Sequence, residues 1–233
     1  MSIIDIVVLA VFAFFVLSGW YRGLVSTLLS IGAYIVSAGL ALIMRPLLSN
    51  LVFSNASLYN MALYYAEGAE FVYDVELSKS AISQLGSSQL SVVMERAELP
   101  IPVGTRISEN IAKEAFAADG LTTLGEYFNQ TIVNVFINLL CVLVLFVAIR
   151  LIFAFIINMI DYARRGYPVL QSADGLIGAG FGLIRGFLAM YIIFLVTPAV
   201  LIVLPSIGDY LFDSFFGTFF YNTNFLLRLI PGI

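Results

Sequence analysis

Residues 174–187 read DGLIGAGFGLIRGF, the start of a long apolar segment with glycine at every fourth position (Gly178, Gly182, Gly186) and one charge, Arg185, inside it. Glycine at that spacing leaves one bare helix face on which another backbone packs closely. A charge within a membrane span costs roughly 2.5–3.5 kcal/mol on insertion scales, so it faces protein, water or a counter-charge. The stretch predicts a membrane-crossing helix packed against a neighbour.

The rest of the chain agrees with that beginning. It has 233 residues, 61% of them hydrophobic and 11% charged, and a mean hydropathy of +1.01. Soluble domains are nearer half apolar and a quarter charged. A net charge of −4 gives no basic face for nucleic acid. Histidine is absent, which removes Ser-His-Asp and Cys-His catalysis and histidine-ligated metals. No cofactor or metal is expected, and no enzymatic activity. The single cysteine, Cys141, sits in an apolar run and reads as a buried structural thiol. Ile3 to Leu17 lacks the basic start of a cleavable signal peptide.

Four spans can be drawn against the need for about 20 apolar residues per crossing: Ile3–Gly19, Leu24–Met44, Ile132–Ile160 and Leu176–Leu204. The expected fold is all-α, a polytopic membrane protein with two hairpins: residues 1–45, then 131–205. The link between spans one and two, Gly19-Trp20-Tyr21-Arg22-Gly23, is short enough to make them antiparallel neighbours. Residues 46–130 change character: with Arg45, the stretch through Gln130 holds ten acidic and five basic residues. It reads as a small extracytoplasmic helical insertion with amphipathic helices at Ser88–Leu99 and at Ser108–Ala118, the second capped by Ser108 and ended by Gly120. Thr122 or Thr123 is expected to cap the helix leading into span three. Residues 206–233, rich in phenylalanine with Asp209 and Asp213, read best as an interfacial amphipathic helix, the alternative being a helix packed against the insertion.

Basic residues in short loops set orientation. Arg22 lies in the first link and Arg164 and Arg165 in the link between spans three and four, so that side is assigned to the cytoplasm. The N-terminus, residues 46–130 and the C-terminus then lie outside, with Arg45 and Arg228 counting against.

Arg150 and Arg185 are the residues to weigh first. Arg150 lies eleven residues before Asp161 and Arg185 eleven beyond Asp174, so both sit about 16 Å from the same end at 1.5 Å per residue. They either line an anion-attracting cavity or snorkel to the inner headgroups. The glycine face is expected to pack helix on helix, within one chain or across a homo-oligomer. Gly19-Trp20-Tyr21-Arg22-Gly23 and Gly182-Leu183-Ile184-Arg185-Gly186 share the form G-x-x-R-G, as an internally repeated membrane protein would. Asp174, after Ser172, reads as a helix cap or as a salt-bridge partner of Arg22 or Arg164. Asp5 reads as a helix-start carboxylate. Gln130, Asn134 and Asn138, four apart, form a polar stripe suited to interhelical hydrogen bonds or to a pore lining.

Asp5, the Gly19–Gly23 link, and Asp174 with Gly182, Arg185 and Gly186 together resemble the colicin V production protein (CvpA) family. The resemblance covers roughly residues 1–45 and 130–200 and departs at the long acidic insertion. It implies a four-helix protein of the bacterial cytoplasmic membrane, linked to toxin production and secretion or to envelope maintenance, with no catalytic site. Relatives fused to an extracytoplasmic serine protease are not matched, since histidine is missing and the insertion is small. Two functions stay open: a scaffold or accessory factor meeting envelope proteins through residues 46–130, or a small oligomeric channel or exporter for an anion or peptide. Membrane lipids are expected partners of either; nucleic acid is not.

Overall fold

The structure, a computed structural model, describes residues 2–66, 68–164 and 174–233, excepting the side chains of Ala66, Ala163, Arg164 and Asp174. Every regular element among the described residues is helical: α1 Ile3–Ser54, α2 Ala56–Ala66, α3 Val75–Lys79, α4 Ser87–Arg96, α5 Val103–Ala112, α6 Leu124–Arg164, α7 Asp174–Ile193, α8 Thr197–Val203, α9 Ile207–Phe212 and α10 Phe215–Asn222, with 3₁₀ turns between several of them. Among the described residues three stretches are long and apolar enough to cross a membrane: Ile3–Ser54, Leu124–Tyr162 and Gly175–Val203.

α1 is two helices joined at one residue. Gly23 stands at φ 77°, ψ 179°, a backbone conformation open to glycine and strained for residues bearing a Cβ. The link expected across Gly19–Gly23 is thus compressed to Gly23, and residues 19–22 remain helical. The second arm runs to Ser54 through Pro46 rather than stopping at Met44.

The chain divides into two compact units, the first comprising Met1–Arg45, Val142–Leu195 and Ser206–Asn224, the second Pro46–Cys141, Val196–Pro205 and Phe225–Ile233. In unit one the first arm of α1 pairs with α7. Gly19 meets Gly178, Phe15 and Val16 meet Gly182, and Phe12 meets Gly186 and Phe187. One residue number falls as the other rises, so the helices are antiparallel. The second arm pairs with α6 in the same sense: Ser26 with Asp161, Ser30 with Arg150, Tyr34 with Phe146. Buried on that arm are Ser26, Thr27, Ser30, Ala33, Ser37 and Ala41, a small-residue face at helical spacing. The opposite faces carry exposed Ile35, Ile43, Val144, Leu151, Ile152, Phe155 and Met159. So much exposed apolar surface belongs in lipid, not water.

The tail departs from expectation. It is not one interfacial helix but two short helices and a turn, because its apolar residues are used for packing. Phe220 is fully buried, its ring centroid within 6.0 Å of that of Phe12 and within 5.7 Å of those of Phe187, Tyr191 and Phe194. Phe215 and Phe212 do stay exposed.

Unit two has an apolar core that includes Val103, Ile107, Leu124, Phe128, Ile132, Leu227 and Ile230, and polar contacts fix its helix ends. Glu126 accepts from the backbone of Thr122 and Thr123 at 2.9 Å each, while Thr123 accepts from Glu126 N–H at 3.4 Å; this is a reciprocal cap of the expected helix start. Ser108 is not a cap: it lies inside α5, which starts at Val103, and its hydroxyl donates to the Gly104 carbonyl at 3.2 Å. α4 runs Ser87–Arg96, with the Gln89 side chain accepting from Gly86 N–H at 3.1 Å. Gly120 does end a turn, in the left-handed conformation at φ 80°.

Candidate functional site

The site begins with α7, where the absence of side chains sets the helix spacing. A Cβ at Gly182 would stand 2.5 Å from the Phe15 carbonyl oxygen and 3.2 Å from Val16 Cα. Gly19 and Gly178 approach each other's backbone just as closely, and a Cβ at Gly186 would press on the Phe12 ring at 2.9 Å. The glycine face, expected to pack within one chain or across a homo-oligomer, meets the first arm of α1 within the chain. Gly180, off that face, has nothing within 4 Å of where its Cβ would be.

This close seam carries Arg185 onto the first arm. The guanidinium donates to Ser18 Oγ at 2.8 Å and lies 4.8 Å from the Phe15 ring centroid. Arg185 is 4% exposed, so it neither reaches water nor snorkels.

Arg150 on α6 repeats the arrangement against the second arm. It donates to Ser30 Oγ at 2.8 Å and lies 4.6 Å from the Tyr34 ring centroid. In both cases the serine is nearer to Gly23 along α1 and the aromatic farther: Ser18 and Phe15 before it, Ser30 and Tyr34 after it. A cation over an aromatic face is stabilised by about 0.5–2 kcal/mol, most where water is excluded. The sequence matched the two arginines in depth but missed their partners. Ser18 and Ser30 look like ordinary small residues of apolar helices, and only their shared order about Gly23 marks them.

Three buried nitrogens of these arginines have, among the described residues, no acceptor: Arg150 Nε and Nη1, and Arg185 Nε. Among the described residues the one ion pair is Arg106–Glu109, so neither arginine has a carboxylate counterpart there.

The other sequence candidates fall in different places. Gly23 makes the break in α1, and Arg22 beside it is exposed. Asp5 is buried and accepts from Ser2 N–H at 3.0 Å, Ser214 Oγ at 2.7 Å and Phe216 N–H at 3.0 Å. It therefore caps its own helix and, with Ser214, the start of α10. Asp174 is the first residue of α7; its side chain, that of Arg164, and Ser172 and Arg165 lie outside the described residues. In unit two the Gln130–Asn138 stripe makes hydrogen bonds, with Gln130 accepting from Tyr59 at 2.9 Å and donating to Asn134 at 3.3 Å. Asn134 donates to the Gly232 carbonyl at 3.4 Å, and Asn138 to those of Pro231 and Ile233 at 3.2 and 3.4 Å. Asn110 adds a bond to Gly232 at 3.0 Å, and Arg106 donates to Ile230 at 2.8 Å and to Arg228. These side chains hold residues 228–233 by the backbone. Asn110 and Arg106 went unnoticed because the tail carbonyls they hold are more than a hundred positions away.

The long apolar helices and their exposed apolar faces are those of a helical membrane protein, with three candidate spans among the described residues. A family model described as colicin V production protein matches residues 4–75. That match holds Asp5, Ser18, Gly19, Arg22, Gly23, Ser30 and Tyr34; the helices bearing Arg150 and Arg185 lie beyond it. No curated protein and no solved structure matches the chain.

Proposed function

We propose that the chain is a non-enzymatic scaffold or accessory factor of the bacterial cytoplasmic membrane, serving toxin production and secretion or envelope maintenance. It crosses the bilayer four times in two hairpins: the two arms of α1, then α6, then α7 with α8. α1 is 52 residues long, about 78 Å at 1.5 Å per residue, more than twice a hydrocarbon core of about 30 Å. The break at Gly23 divides that length between two crossings. The bends at Gly23 and after α6 face the cytoplasm, and residues 46–130 face outward to meet envelope proteins.

One observation carries the scaffold reading. The side chains and bare faces that could line a passage are spent on holding helices together, with Gly178, Gly182 and Gly186 against α1 and each arginine on a serine and a ring. The description of the family matching residues 4–75 supports the link to toxin production.

The second reading, an oligomeric channel or exporter for an anion or peptide, draws on the unsatisfied donors of Arg150 and Arg185. Reconstitution separates the two. Vesicles holding the full chain should be as tight to chloride and phosphate as empty ones, while proximity labelling in the native membrane marks a reproducible set of neighbours. Anion flux that disappears in Arg185→Leu would overturn the scaffold reading in favour of the channel.

A further inference from the structure

We propose that α2 lies along the bilayer surface and presses Leu58, Met61 and Tyr65 into the boundary between headgroups and acyl chains. The inference rests on the proposed crossing of the second arm of α1 and is independent of the scaffold role.

α2 follows that arm with one residue, Asn55, between them. The Asn55 side chain accepts from Ser57 N–H at 3.1 Å and from Leu58 N–H at 3.2 Å, so the new helix is capped at once. A single residue spans at most about 3.6 Å, which leaves α2 no slack to move away from the surface where the arm emerges. The helix is fastened on its other side as well. Tyr59 donates to Gln130 Oε1 at 2.9 Å, its ring centroid lies 6.2 Å from that of Phe53, and α2 packs against α8. α8 is the end of the apolar stretch Gly175–Val203. Two membrane-length stretches thus hold α2 by their ends.

The packed and open sides of α2 differ in kind. Ala62 is buried, and Tyr59 and Leu63 are half-buried. Leu58, Met61 and Tyr65, three and four residues apart and so on one face, are 42%, 54% and 51% exposed. Leu47 and Leu51, in the last turns of α1, are each 66% exposed. No charged residue occurs from Pro46 through Ala66, so the apolar character of the arm continues into α2 unbroken. Farther round the helix the surface turns polar, where Asn60 and Tyr64 line an open hollow with Glu70 and Asn129.

That division suits the headgroup level, where a tyrosine ring is buried while its hydroxyl stays wet. Interfacial helices that arrive from solution carry lysine or arginine to find anionic lipid. α2 needs neither, since the preceding span delivers it to the surface. The occupant of its open face is therefore lipid acyl chain, with no demand on headgroup charge.

The test uses the full chain with Trp20→Phe, which removes its one tryptophan, and a new one as Met61→Trp, Tyr65→Trp, Asn60→Trp or Ile35→Trp. All four positions are exposed, so the replacements need no repacking. Each protein is reconstituted in phosphatidylcholine vesicles brominated either near the headgroup end of the acyl chains or near their tips. An interfacial depth of about 5–10 Å predicts that headgroup-end bromine lowers the emission of Met61→Trp and Tyr65→Trp to about half or less, with weaker quenching by tip bromine. Asn60→Trp should keep the emission it has in unbrominated vesicles. Ile35→Trp, midway along the arm, reports the crossing separately and should be quenched most by tip bromine. Absence of quenching at Met61 and Tyr65 overturns the surface placement whatever Ile35 shows; quenching there with none at Ile35 upholds the placement and removes the crossing. Blue-shifted but unquenched emission from Met61→Trp would mean that a second copy of the chain covers the face, against the proposal. Equal quenching at Asn60, Met61 and Tyr65 would also contradict it, because the helix would then have no lipid-facing side.

Discussion

The two helix pairs of unit one solve one problem in different ways. The first arm of α1 and α7 come together by removing side chains, with Gly19, Gly178 and Gly182 in backbone contact. The second arm and α6 come together over a face of serine, threonine and alanine, with Ser26 and Ser30 bonded to Asp161 and Arg150. Lipid offers no hydrophobic gain for joining two apolar helices, so close packing and hydrogen bonds supply the attraction. The first pair relies mainly on packing and the second on polar contacts, and each adds one arginine laid on an aromatic ring.

The glycine seam should therefore be the less tolerant of added volume. Gly182→Leu would force its side chain into the Phe15 carbonyl, and a loss of at least about 3 kcal/mol, the upper range of ordinary overpacking, is expected in reversible unfolding in mixed micelles. Gly180→Leu, with open space around it, should unfold like wild type. Equal losses in the two variants would mean that the seam is not where α7 meets α1.

A smaller effect is expected at the tail clamp of unit two. Asn138→Leu removes donors to the carbonyls of Pro231 and Ile233, and should cost about 1–3 kcal/mol for the acceptors left unpaired. Faster proteolytic loss of the last residues, read by intact mass, would accompany it. An undisturbed tail would remove the clamp from the account.

The polar pair can be measured directly. A double-mutant cycle on Arg150→Met and Ser30→Ala should give a coupling of about 0.6–1.7 kcal/mol, the range found between membrane helices. Zero coupling would leave the second pair resting on packing alone, and the contrast with the first would fail. The smallest effect belongs to Ser37, whose hydroxyl is buried in the same face without a partner. Ser37→Ala should change stability by no more than about 0.5 kcal/mol in either direction, since no bond is lost and a desolvated group is removed.

These contrasts also show what a sequence of this kind discloses. The glycine ladder and its charge were legible because glycine every fourth residue is rare enough to stand out and has one main physical use. The break near Gly23 was legible from a G-x-x-R-G link with aromatics beside it, although its length was not, because helical backbone tolerates Trp20, Tyr21 and Arg22 equally well. The serine face of the second arm was hidden: single hydroxyls among alanines and leucines also read as lipid-compatible filler. The partners of Arg150 and Arg185, like the five carbonyls held by Arg106, Asn110, Asn134 and Asn138, depend on which distant residues come together. No local pattern encodes that. The tail misled because alternating phenylalanines and aspartates suit both an interfacial helix and a packed one, and only the burial of Phe220 decides between them.

In the proposed topology Gly23 and the end of α6 are two bends on one side of a bilayer, and the second arm of α1 crosses it. In a Cys141→Ser background, single cysteines at the exposed positions Tyr21, Tyr162 and Ser57 can be labelled with a membrane-impermeant maleimide in sealed vesicles of either orientation. Tyr21→Cys and Tyr162→Cys should react only from the cytoplasmic face and Ser57→Cys only from the outer one. Labelling of the first two from opposite faces, or of Tyr21→Cys and Ser57→Cys from the same face, would contradict the paired-hairpin arrangement.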